Sequence, residues 1–152
     1  NYALRDLPPE RVRHHTCYGI NMGPRVHDVE MKEIAAIVLK IRAGAYSFEA
    51  ANPRHEHEWR LWQEVELPAE KAIIPGVISH TTVLVEHPEL IAERIIRFAR
   101  LVGRERVIAG ADCGFGTQAS ATPEIHPTIA WAKLDALAAG ARLASKELWG
   151  KG

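Results

Sequence analysis

Four strand–helix units in succession predict an α/β fold with parallel strands, the content of half a (β/α)8 barrel. Three observations carry that prediction. Short β-branched or aromatic runs alternate with longer stretches of helical periodicity, which makes parallel strands joined by crossover helices. The chain has 152 residues, whereas a complete barrel takes about 200 or more. Side chains that suit a metal fall at the carboxyl ends of three different strands. Open doubly wound sheets and barrels both put their sites at that end, but convergence from three strands suits the curved mouth of a barrel.

Leu7-Pro8-Pro9-Glu10 reads as a turn, and residues 11–18 as the first strand. From Asp28, an N-cap type, Ile34, Ile37, Val38 and Ile41 recur at helical spacing up to a stop at Gly44. Tyr46 and Phe48 mark a second strand over 45–50. Pro53 opens a helix that carries Trp59 and Trp62. The apolar run 72–79, with Ile73, Ile74, Val77 and Ile78, is a buried strand. Pro88 and Gly103 bracket a helix with Leu90, Ile91, Ile95 and Phe98 on one side. Residues 107–113 form the fourth strand. Pro127 opens the last helix, with Leu134, Leu137, Ala141 and Leu148 as its apolar stripe.

Composition narrows the function classes. The chain is 47% hydrophobic, enough for one domain, 1–152, with a real core. Its 19 acidic and 19 basic residues cancel, which argues against a nucleic-acid binder. No run approaches the roughly 18 apolar residues of a membrane span, and the polar, proline-containing start does not read as a secretory leader. Two cysteines do not make a disulfide scaffold, so a reduced, cytoplasmic setting is expected.

The chemistry concentrates at His15-Thr16-Cys17. In a strand, His15 and Cys17 point to the same face. An imidazole beside a thiolate suits a borderline-soft metal, above all zinc. The second cysteine, Cys113, ends another strand, and Glu49 a third. Each cysteine alone would be read as an inert core residue, and Glu49 alone as a strand-end cap. Together they make a ligand set spread from position 15 to position 113, a spacing that favours a catalytic over a structural site.

His15-Thr16-Cys17, Ser47-Phe48-Glu49 and Asp112-Cys113-Gly114 resemble the zinc motifs of cobalamin-independent methionine synthases, in their C-terminal barrel. Residues 51–59 (Ala-Asn-Pro-Arg-His-Glu-His-Glu-Trp), 74–78 and 109–117 are similar to the single-barrel relatives of that group, which include epoxyalkane:coenzyme M transferase. The resemblance covers roughly residues 10 to 149. It implies the last four βα units of a barrel, with the N-terminal half missing or on another chain. It also implies zinc-dependent methyl transfer to a homocysteine-type thiol, or alkyl transfer to another thiol, with methylfolate the donor by analogy. His15, Cys17 and Cys113 are then the metal ligands, and Glu49 an exchangeable fourth.

Four more residues take roles beside that set. His80 follows the third strand; the resemblance makes it a proton-transfer or orienting group, as its chemistry near neutral pH allows, with an exposed loop histidine as the alternative. Asp112 reads as a carboxylate that orients His15 through the other ring nitrogen, with a helix N-cap or ion pair as the alternative. Arg54 and His55, in the first turn after Pro53, read as contacts to an anionic substrate group, with a charged solvated turn as the alternative. Gly114-Phe115-Gly116-Thr117 is a weak anion-loop motif.

Two other functional classes stay open at this point. One is a decarboxylase-like relative without metal. The other is a non-catalytic half-barrel or assembly module. Either way, a half barrel leaves open strand edges, so an N-terminal half-barrel chain or self-association is the expected protein partner.

Overall fold

The computed structural model describes residues 1–19, 27–115 and 125–150. Its strands are β1 (Arg13–Thr16), β2 (Ala45–Phe48), β3 (Ala72–Ile78) and β4 (Gly110–Ala111). They form one sheet in the order β1-β2-β3-β4, with every neighbouring pair parallel. The α-helices are α1 (Met31–Val38), α2 (Pro88–Val102) and α3 (Pro127–Trp149). This is the α/β architecture of four parallel strands expected from the sequence.

The register brings the strand ends level. Thr16 pairs with Phe48, Phe48 with Pro75, and Ile78 with Ala111. The residues that follow each strand, Cys17, Glu49, Ser79 and Asp112, therefore share one end of the sheet. Gly76 sets how closely β3 and β4 approach. A Cβ there would lie 2.6 Å from the Asp112 Cα, so only glycine lets the Asp112 backbone sit against β3.

Two apolar cores flank the sheet. One joins Met31, Ala35 and Val38 of α1 to Tyr46, Phe48, Trp62, Ile73 and Phe98. The other packs Ile91, Ile95 and Ile96 of α2 and Ala136 and Ala144 of α3 over Val77 and Ile78. Tyr46 spans from β2 to the end of α1, where its hydroxyl donates to the Leu39 and Ile41 carbonyls at 3.1 and 2.8 Å. Among the described residues, no helix is long and apolar enough to cross a membrane.

Several expectations are corrected. The helix predicted from Asp28 begins at Met31, whose N–H donates to Glu58 at 2.8 Å, because the Asp28 carboxylate is taken by Arg54. It buries Met31, Ala35 and Val38, and leaves Ile37 exposed. The segment after Pro53 is a 3-10 stretch, Glu56–Gln63, rather than an α-helix. Residues 52–56 turn tightly first, with the Asn52 carbonyl accepting from both His55 and Glu56 N–H. The fourth strand is shorter than expected, and Val107 makes only an isolated bridge to Ile73. Residues 20–24 of the loop predicted after the first strand, and Gly116 and Thr117 of the glycine motif, lie outside the described residues.

Candidate metal and substrate site

Two groups of metal-ligating side chains sit at the carboxyl end of the sheet. His15, Cys17 and Cys113 form the first; one donor atom from each lies within 4.8 Å of the others. Glu49, His80 and Asp112 form the second by the same measure.

The first group is the more open to solvent. His15 and Cys17 are exposed and Cys113 is half-buried. His15 Nδ1 meets Ser47 Oγ at 3.0 Å, which fixes the ring from the neighbouring strand. The two sulfurs stand 3.4 Å apart, and Gly19 N–H donates to Cys17 Sγ at 3.2 Å. Burial, and then the hydrogen bond with Cys17, push the Cys113 thiol up to about 11. A coordinating cation reverses that effect by favouring the thiolate.

This donor set fits zinc. One imidazole and two sulfurs are three protein ligands with a fourth position open, the pattern of a catalytic zinc. Two thiolates on one tetrahedral zinc, with Zn–S near 2.3 Å, stand about 3.8 Å apart. The 3.4 Å seen here is a small side-chain adjustment away.

The second group is buried and held by the backbone. Asp112 Oδ1 accepts from Ala50 and Ala51 N–H at 2.7 and 2.8 Å, and its Oδ2 from Asn52 at 2.9 Å. Burial raises the Asp112 carboxyl above its usual range; the bonds from Ala50, Asn52 and Ala51 pull the other way. Glu49 is fully buried. Its Oε1 accepts from Tyr18 N–H at 3.2 Å and its Oε2 from Asn52 at 2.9 Å, with the Arg54 guanidinium 3.8 Å away. His80, 3% exposed, completes the group. The expectation that Asp112 orients His15 is therefore corrected. Ser47 contacts the ring, and Asp112 fastens the turn after β2.

Arg54 and His55 part company. His55 is buried between two carboxylates, with Nδ1 3.1 Å from Glu58 and Nε2 3.4 Å from Asp28. Its ring stacks on Tyr18 at 3.9 Å between centroids. Those carboxylates would repel the anion that the sequence reading assigned to it. Arg54, a quarter exposed, reaches Asp28 at 2.7 Å and retains access to solvent.

Three residues of the site were not singled out from sequence. Asn52 bridges Glu49 and Asp112. Arg94 of α2 is buried and donates to the Val77 carbonyl at 3.0 Å and to Glu56 at 3.0 Å, tying the end of β3 to the loop after β2. Lys133 of α3 is fully buried and pairs with Glu86 at 2.8 Å, while Glu86 accepts from Ser79 N–H at 2.7 Å. That relay reaches the residue beside His80. An arginine within an apolar helical stripe, and a lysine one turn from small residues, were the available signals.

No family model matches the chain, and no curated protein matches it. Among solved structures, it is similar to a B12-independent methionine synthase from Shewanella sp. W3-18-1, determined in complex with selenomethionine. The TM-score is 0.72 and the identity 21%, over 98% of this chain and 42% of that one. At this identity the likeness shows the fold. The chain spans about two-fifths of the length of that neighbour.

Proposed function

We propose that the chain is the zinc-holding half of a thiol alkyltransferase. The observation that carries this reading is the convergence of His15, Cys17 and Cys113 within 4.8 Å at the sheet's carboxyl end. The fold likeness to a methionine synthase supports methyl transfer to a homocysteine-type thiol. A coenzyme M-type thiol is the alternative acceptor. His15, Cys17 and Cys113 would hold zinc, with Glu49 as a displaceable fourth ligand. Zinc bound there supplies a Lewis acid that keeps a substrate thiol deprotonated near neutral pH.

The chain's own groups do the rest. Arg54 offers its guanidinium to an anionic group of the substrate. The thiolate sulfur forms a bond to the alkyl carbon as the bond from that carbon to its leaving group breaks. His80 holds the proton that the leaving group takes. Glu49 and Asp112 place carboxylate oxygens within 4.8 Å of its ring.

The sheet supports a partner. Among the described residues, β1 and β4 are each paired on one side only. An N-terminal half-barrel chain, or a second copy, would cover those edges and complete the pocket. A non-catalytic assembly module is the second reading, favoured by the same open edges.

One experiment separates these readings. The purified chain is assayed for zinc, for sedimentation mass, and for alkylation of L-homocysteine and 2-mercaptoethanesulfonate by a methyl donor. It is tested alone and with any co-purifying partner. The expected result is about one zinc per site, lost in Cys17→Ser and Cys113→Ser. Stoichiometric zinc in both variants would remove the ligand assignment. Zinc without alkylation in any assembly leaves the module reading.

A further inference from the structure

The amide of Asn52 is an inconspicuous polar group at the sheet's carboxyl end, yet it makes three hydrogen bonds. Asn52 is 1% exposed. Its Nδ2 donates to Glu49 Oε2 and to Asp112 Oδ2, each at 2.9 Å. Its Oδ1 accepts from Arg54 N–H at 3.1 Å. A side-chain amide has two N–H donors and one carbonyl acceptor, and all three have partners here. Glutamine carries the same groups but one methylene further from the backbone. Aspartate would add a third buried carboxylate, and leucine would leave two unbridged.

The two carboxylates it joins have different freedom. Asp112 is tied by two backbone N–H groups as well as by Asn52. Glu49 has one backbone N–H, that of Tyr18, at a longer 3.2 Å. Asp112 is therefore the fixed anchor, and Asn52 carries that fixity across to Glu49. In this arrangement both Glu49 oxygens are engaged, by Tyr18 N–H and by Asn52, and Glu49 groups with His80 and Asp112 rather than with His15, Cys17 and Cys113. Its side chain is parked outside the sulfur group.

We propose that Asn52 is a positioning residue that stabilises the parked state of Glu49 and so sets how readily a substrate thiol replaces Glu49 at the metal. The proposal rests on the zinc reading above and adds to it the group that governs exchange. When Glu49 is coordinated, the Asn52 amide loses one carboxylate partner. When a thiol displaces Glu49, the carboxylate returns to a charge-assisted hydrogen bond. Removing the amide weakens only the parked state, so thiol binding falls while metal binding does not.

The test is a double-mutant cycle read by spectroscopy. The full chain is loaded with Co(II) in place of zinc and titrated with L-homocysteine and with 2-mercaptoethanesulfonate. The sulfur-to-cobalt charge-transfer bands are followed. Asn52→Ala should keep the bands of Cys17 and Cys113 and bind the probe thiols about tenfold more weakly, the size of one charge-assisted hydrogen bond. In a Glu49→Gln background the same substitution should change thiol binding by less than about twofold. Asn52→Ser keeps an acceptor for Arg54 N–H but cannot bridge both carboxylates, and it should repeat the result if the alanine variant folds poorly. Equal losses in the two backgrounds, or no loss in either, overturn the role of Asn52 and leave the zinc reading standing. A chain that takes up no Co(II), or takes it up and binds no thiol, overturns both.

Discussion

The two donor groups at the sheet's carboxyl end are neighbours built in opposite ways. Glu49, His80 and Asp112 are buried, and the two carboxylates are held by the backbone of the turn after β2, of Tyr18, and by Asn52. His15 and Cys17 are exposed and Cys113 half-buried, with contacts mainly to one another and to Ser47. Burial makes an unmet polar group costly, so the inner group must be satisfied for the chain to fold. The outer group carries no such debt, and its sulfurs and imidazole are left available for a cation. Stability and ligand chemistry are therefore divided between two sets of residues a few ångströms apart.

Substitutions sharpen or break that division. The largest effect is expected at Asp112. Asp112→Ala leaves the Ala50 and Ala51 N–H groups without their acceptor, and about 3–5 kcal/mol of stability should be lost. Urea unfolding of the metal-free chain measures it, and a loss below about 1 kcal/mol would mean the inner group does not carry the fold.

The second test uses pH. Burial alone would lower the His55 imidazole, but its hydrogen bond to Glu58 and the charges of Glu58 and Glu49 outweigh that and raise it, against a smaller opposing effect of Arg54. A raised folded value means that charged His55 stabilises the fold. That contribution is fully present below the ordinary imidazole value of about 6.5 and is lost as pH rises through the folded value. The stability advantage of the wild type over His55→Gln should therefore shrink with rising pH. An advantage that grows with pH would reverse the assignment.

The smallest effect is expected at the outer group. Cys17→Ser should change the stability of the metal-free chain by no more than about 0.5 kcal/mol, as for an ordinary surface substitution, and scanning calorimetry without metal is the check. A loss comparable to that of Asp112→Ala would erase the distinction between the groups.

Sequence and structure agree where local chemistry dominates. β3 was legible because an apolar run of seven residues has nowhere to go but the interior. α2 was legible because Pro88 and Gly103 bracket it and Ile91, Ile95 and Phe98 share a face. The convergence of His15, Cys17 and Cys113 was legible because all three sit at strand ends and the chain has only two cysteines. The line that α3 buries was not legible. It runs through Lys133, Ala136, Gly140 and Ala144, while Leu134 is exposed. A Cβ at Gly140 would come within 2.5 Å of Ile91, so the two helices meet on small residues, which a search for large apolar ones passes over. The distant partners of Asn52 and His55, Asp112 and Asp28, were also invisible. They come from segments up to 60 positions away, and no local pattern records which remote carboxylate a buried side chain will meet.

The spacing of the two sulfurs also bears on when the site exists during folding. Cys17 and Cys113 are 96 positions apart and belong to opposite ends of the strand order. Closing so long a loop is entropically slow, and contacts of high sequence separation form late. β2 and β3 must be in place before the first and last strands can present their sulfurs together. On the proposed zinc reading, tight uptake of a thiol-seeking cation would belong to the last stage of chain collapse, and its rate would be a clock for completion of the sheet.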